Sequence, residues 1–405
     1  MGHSHDTPVD VKDPGTLQVS SKLKTLYSVL MAIGVLAFVV TLASGNAERA
    51  WHAYLIGLFY TVSLALGGLF LTSIHHLTRA GWSVNVRRFF EAFTSYLPWA
   101  AGMAIILLIF GAGHLYEWLH KEAVESDPLL QHKASYLNQT FFWIRTIGFF
   151  GLWIYFSRVL VNGSLKQDQT GDASISERLG KVAIPCILIF ALSYSFFSVD
   201  TLMSLEPHWF STIFGVYTFA GLFQSTIAFT ILVIAYLTAK GRLNGFVNEN
   251  HLHDLGKFLF AFTVFWAYIA FSQYMLIWYA NLPEETIFFE PRSHGTWGYV
   301  SVALILFKFI VPFLALLPQW AKRSLNHLVA VSFLILIMQF VDLYWLVYPN
   351  VGKEHNLVFG ITEVFVFLGF MGLFIFAVSR FLSKHSIVAY RDPRIAESMH
   401  HHVVY

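Results

Sequence analysis

Lys308 and Asp342 are an ionisable lysine and aspartate set inside long apolar runs, and no other pair in the chain is better placed to do chemistry. Each such ion at a helix centre in hydrocarbon costs roughly 2.5–3.5 kcal/mol, so something must offset it. A buried lysine can release its proton and an aspartate can take it, whereas an arginine stays charged. The chemistry suggested is proton transfer inside a membrane. Lys308 lies about 12 residues into its run, roughly 18 Å by the helical rise. Asp342 lies nearer the outer mouth, where it can receive that proton and pass it outward through water, with Glu363 as a neighbour on the last run. Gln224, Tyr268, Ser272 and Gln339 can extend the path. Tyr268 and Ser272 are four apart and Gln339 and Asp342 three apart, so each pair can share one helix face.

A second cation and acid, Arg145 and Asp200, recur in an earlier part of the chain. For all four ions a structural role, pairing with an opposite charge or a backbone carbonyl, stands beside the relay role. Glu363 and Glu91 also read as interfacial residues. In the turn Ser204-Leu205-Glu206-Pro207-His208-Trp209, Glu206 and His208 can exchange protons near neutral pH, or the turn simply ends a helix with an aromatic anchor. On the other side of the membrane, His251 and His253 precede a span and can gather protons for an inner half-channel, as can His75 and His76. Asp254 beside them reads as a helix cap.

The elements that must hold these residues are membrane helices. Of 405 residues, 56% are hydrophobic and only 12% charged, more apolar than a soluble chain needs. Ten runs reach the ~20 residues that cross a bilayer. They cover 25–43, 51–74, 88–112, 136–160, 182–204, 210–238, 255–279, 297–318, 326–347 and 361–381, which makes the expected fold all-α and integral to the membrane. The polar residues 1–24 lead into a run longer than a signal-peptide core, with no small-residue cleavage site, so no cleavage is expected. Most of the 26 Lys and Arg fall on the side shared by the two termini, which the positive-inside rule makes cytoplasmic. Trp51, Trp209 and Trp278 read as interfacial anchors, and 161–181 as a polar surface loop.

The ions also trace a duplication. Arg88 and Phe89-Phe90-Glu91-Ala92-Phe93-Thr94-Ser95-Tyr96 match Lys257 and Phe258-Leu259-Phe260-Ala261-Phe262-Thr263-Val264-Phe265, while Val199, Asp200 and Pro207 match Val341, Asp342 and Pro349 in spacing. Arg145 and Lys308 are then corresponding mid-helix cations. Each block has an even number of helices, so the repeats are parallel, with a pseudo-twofold axis along the membrane normal. The expected order is an N-terminal segment 1–24, a peripheral span 25–43, four-helix bundles at 51–207 and 208–349, a peripheral span 361–381 and a tail 382–405.

Cofactor chemistry is poorly provided for. Cys186 is the single cysteine, which excludes a CxxCH haem attachment, a four-thiolate cluster and an intramolecular disulfide. The histidines sit near span ends rather than span centres, against paired mid-membrane haem ligands, and His400, His401 and His402 read as a flexible polar end rather than a metal site. No Walker motif, dinucleotide fingerprint or HExxH is present. A net charge of +2 gives no indication of nucleic acid as a partner.

The ten-span plan, the SLEPHWFS turn and residues 253–286, HDLGKFLFAFTVFWAYIAFSQYMLIWYANLPEET, resemble the ActF family, the second NrfD/PsrC-like membrane subunits of bacterial alternative complex III. The resemblance spans nearly the whole chain. It implies a subunit of a quinol:cytochrome c, or quinol:electron-carrier, oxidoreductase in the bacterial inner membrane, carrying protons in step with quinol oxidation and not catalytic alone. It further implies two four-helix bundles, a paralogous NrfD-like partner, partners with c-type haems and iron–sulfur clusters, and a terminal oxidase as a further associate. The family label, quinone-binding subunit 2, names quinone as a ligand, although the sister subunit is the stronger candidate. Two other functions fit the same features: a secondary transporter with duplicated bundles, and a structural membrane anchor.

Overall fold

Among the described residues, ten helices are long and apolar enough to cross a membrane, which makes this a multi-pass membrane protein. In the computed structural model they run α1 Ser21–Ala43, α2 Ala47–Leu77, α3 Gly81–Leu115, α4 Gln139–Thr170, α5 Ser174–Leu205, α6 Phe214–Ala239, α7 Glu249–Ala280, α8 Gly295–Leu316, α9 Leu325–Val347 and α10 Ile361–Leu382. The structure describes residues 11–351 and 357–402, so parts of the N-terminal segment 1–24 and of the tail 382–405 lie outside the described residues. No strand occurs among those described. In hydrocarbon a helix satisfies its backbone groups internally, and single polar residues close the ends. Asn138 accepts from the Phe141 amide at 2.9 Å to start α4, and Gly171 at φ 69° ends it.

α2 is the most enclosed span, buried almost continuously from Ala50 to His76 and packed against α3, α5, α6, α9 and α10. Between His52 and His75 its residues are apolar, aromatic or small on every face, as a fully enclosed helix requires. α6 is the next most enclosed and touches α2, α5, α7 and α9. α1 is the most exposed and lies along α10, where a Cβ on Gly34 would come within 2.4 Å of Gly369 Cα. Small residues permit that backbone approach.

Both described chain ends lie on one face, here the tail side, since Leu17 donates to the Leu382 carbonyl at 2.8 Å and Ile387 to that of Gly15 at 3.1 Å. Residues 383–402 then cross this face. Arg87 donates to Asp392 at 2.7 Å and also meets Glu91, while Arg88 binds Glu91 at 2.7 Å and Asp168. This cluster takes Glu91 out of the interfacial role expected for it.

The structure corrects several local expectations. Residues 161–181 are not a surface loop: α4 continues to Thr170 and α5 begins at Ser174, because Leu160, Ser164, Gln167 and Asp168 are buried among neighbouring elements. Trp51 packs on Phe38 and Tyr54, and Trp209 stacks on Phe288 at 4.0 Å, so these two are core residues; only Trp278 is exposed. Asp254 does not cap α7. Asn248 does, through a capping box with His251, while Asp254 pairs with Lys257 and with His401, each at 2.6 Å. The tail histidines are accordingly not a loose end, since His401 is docked on Asp254 and its carbonyl accepts from Asn248 and Asn250.

Candidate functional site: a buried lysine–aspartate pair

The π-helical turn Ile305–Ile310 within α8 carries Lys308. Such turns rotate the following residues relative to a regular helix and recur at functional sites. The ammonium is fully buried. It donates to Asp342 Oδ2 at 2.6 Å and to Gln339 Oε1 at 2.8 Å, and lies over the Trp266 ring with its nitrogen 4.4 Å from the centroid. Asp342 Oδ1 accepts from the Tyr217 hydroxyl. Three spans other than α8 therefore solvate one ion pair: Tyr217 from α6, Trp266 from α7, and Gln339 with Asp342 from α9. A buried pair is tolerated only with geometry and added hydrogen bonds of this kind.

Gly221 makes room for this arrangement. A Cβ there would sit 2.6 Å from Gln339 Oε1, so Gly221→Ala pushes the amide off the lysine. Ala is the better helix former by about 1 kcal/mol, which would raise stability at an unobstructed site. Gly151, where nothing lies within 4 Å, supplies that control. Thermal unfolding in detergent is expected to show Gly151→Ala at or above the wild type and Gly221→Ala about 1–3 kcal/mol below it.

Toward the tail side, Gln224 donates to Thr263 Oγ1 at 2.9 Å, and Ser225 lies beside it on α6. Gln224 Oε1 and Ser332 Oγ are buried without a hydrogen-bond partner among the described residues. Buried polar atoms of this type are regularly satisfied by internal water. Gln224 and Thr263 thus form a polar seam between α6 and α7.

Of the residues singled out from sequence, Lys308, Asp342 and Gln339 are in direct contact, and Gln224 lies one helical turn from Gly221, which Gln339 packs on. Tyr268 is not in the seam. It is 64% exposed on the outer surface of α7 and Ser272 is partly exposed beside it, because Thr263, Trp266 and Gln273 take the inward face. Glu363 is no neighbour of Asp342 either. It caps its own helix through the Gly360 amide and binds Arg49 with both oxygens, at 2.7 and 2.9 Å, and Tyr348 at 2.8 Å. His251 is held by Asn248 and Ser398, and His253 is buried close by.

Arg145 binds Asp200 through two nitrogens, at 2.7 and 3.1 Å. It is not mid-helix: it stands in the second turn of α4, stacked on the Tyr136 ring at 3.9 Å and donating to the Tyr136 carbonyl. In the far-side turn, Glu206 and His208 do not meet as a pair. Glu206 binds buried Arg292 at 2.8 Å, and His208 meets Asp127 at 2.5 Å. The His208 contact holds the Asp127 carboxyl below its ordinary range, helped by the Leu129 and Leu130 amides.

Tyr217, Trp266 and Gly221 were not anticipated. A signal was available, since Tyr217, Gly221, Gln224 and Ser225 recur at the spacing of one helix face. No family profile and no curated protein matches the chain.

Proposed function

We propose that the chain is a membrane subunit of a quinol-oxidising respiratory complex of the alternative complex III type, supplying a proton path and docking partner subunits. The carrying observation is the Lys308–Asp342 pair, buried among four spans and held by groups that themselves exchange or orient protons. The respiratory part of the reading rests on the resemblance of SLEPHWFS and residues 253–286.

Duplication supports the division of labour. We take α2–α5 and α6–α9 as parallel four-helix repeats, with α1 and α10 peripheral, each repeat carrying one cation–aspartate pair on corresponding helices. Arginine does not give up its proton, so Arg145–Asp200 acts as a structural clamp and the lysine pair as the exchangeable one. The termini then face the cytoplasm of a bacterial inner membrane, and haem and clusters belong to partner subunits.

Purification from native membranes in mild detergent tests the assignment. The expected result is copurification with a paralogous membrane subunit, an iron–sulfur subunit and a multihaem protein showing c-type absorbance. Recovery of the chain alone, moving a solute when placed in liposomes, contradicts it.

A further inference from the structure

A cavity of about 520 Å³ opens between α7 and α8 beneath the far-side segment that carries Phe289 and Arg292. Its inner wall includes Tyr217 and Trp266, the residues that touch Asp342 and Lys308. Its polar lining groups include Gln273, Ser301 and Arg292. Arg292 is fixed by Glu206 and by the Trp345 and Leu346 carbonyls, and Gln273 accepts from Ser211 at 3.3 Å. The cavity thus lies in the far-side half of the α7–α8 interface, with exposed Phe271, Val302 and Ile305 also on its walls, and reaches the back of the ion pair at Tyr217 and Trp266.

We propose that this cavity is the far-side half of the proton path and that Tyr217 is the relay joining it to Asp342. The inference rests on the proton-path reading above and replaces Glu363, which is committed to Arg49, as the outward step. In the state seen, Tyr217 donates to the aspartate, as it does when Lys308 is charged and Asp342 is a carboxylate. When Lys308 passes its proton to Asp342, the lysine becomes an amine and the aspartate an acid. The carboxyl then turns to bring that hydrogen from the Lys308 side to the phenol oxygen and donates it there as the phenol hydrogen leaves to cavity water, so Tyr217 ends with the proton count it began with. Charge leaves as hydronium toward Gln273 and the far-side surface, and Lys308 is recharged from the tail side. A hydroxyl is required for this exchange, and phenylalanine fills the same space without one.

Tyr217→Phe in the assembled complex, reconstituted into sealed vesicles, is expected to lower the proton-to-electron ratio by at least about twofold with quinol turnover retained. A second variant keeps the test independent of that substitution. Ala270 lines the cavity, and the native Cys186 is buried against Ser73. In Ala270→Cys complexes, a charged methanethiosulfonate added from the far side is expected to modify the new thiol and lower the ratio relative to the same sample before labelling. Labelling by an uncharged membrane-permeant maleimide alone means the cavity is a lipid groove and overturns the proposal. If Tyr217→Phe keeps the wild-type ratio while Lys308→Met lowers it, the relay is wrong and the path through the pair stands. If neither changes it, the proton-path reading itself fails.

Discussion

Lys308→Met is expected to destabilise the folded chain by about 3–5 kcal/mol, the usual cost of stripping one partner from a buried ion pair. Asp342 would keep Tyr217 but lose both the ammonium and its charge compensation. Asp342→Asn should cost less, because the amide oxygen can still accept from Lys308 and the amide NH2 can donate to the Tyr217 oxygen once that hydroxyl turns, while the lysine charge is left unmatched. Adding Asp342→Leu to Lys308→Met removes both ions at once and should recover most of the loss, since a well-packed apolar pair is often as stable as the ionic one it replaces. Unfolding in detergent for the wild type, Lys308→Met, Asp342→Leu and the double gives the coupling energy as the failure of additivity. A double variant as unstable as the sum of its parts contradicts a tight pair.

The tail-side cluster should be nearly as sensitive. Asp392 is buried, and burial would by itself raise its carboxyl, but Arg87 first and then Arg394 overcome this and hold it down at about 2. Against a free value of 3.8, that depression stabilises the fold by roughly 2 kcal/mol at neutral pH. The group binds its proton more weakly when folded, so this contribution is complete above pH ~4 and fades as pH falls toward ~2. Asp392→Asn is expected to cost about 3 kcal/mol, at the low end for a broken buried pair because Glu91 still faces Arg87. It should also loosen residues 383–402. Limited proteolysis at Arg391 and Arg394 reads this directly: slow cutting in the wild type at pH 5, fast cutting in the variant. Equal rates would mean the tail is held by its other contacts, such as buried Ile387 and Val388, the Tyr390 and Arg391 hydrogen bonds to the Asp168 and Gln169 carbonyls, and His401 on Asp254.

What the sequence disclosed follows from what bilayer physics constrains. Ten apolar runs fix ten spans because length and hydropathy are set by the hydrocarbon thickness, and Lys308, Asp342 and Gln339 were visible because an ion or amide inside such a run must find partners. Helix rotation was not visible. Tyr268 lies two residues, about 200° of helical turn, from Trp266, so choosing one excludes the other, and hydropathy does not choose between a tyrosine and a tryptophan. Boundaries on the tail side were hidden as well, because Gln167 and Asp168 look solvated until their partners are placed: Gln167 donates to the Asp172 carbonyl and to Ser176 across the turn, and the Asp168 carbonyl accepts from Tyr390 of the tail. Glu363 went to Arg49 for a similar reason, its partner lying 314 residues away in sequence at the start of α2.

The central claim, that Lys308 and Asp342 carry protons rather than merely fix helix packing, is tested most directly by the proton-to-electron ratio of the double variant Lys308→Met/Asp342→Leu in sealed vesicles. A structural pair is replaceable by apolar residues without functional loss once stability is regained, whereas a relay is not. The expected result is a stable, assembled complex that still oxidises quinol but translocates fewer protons per electron than the wild type. A stable double variant with the wild-type ratio contradicts a proton path through this pair.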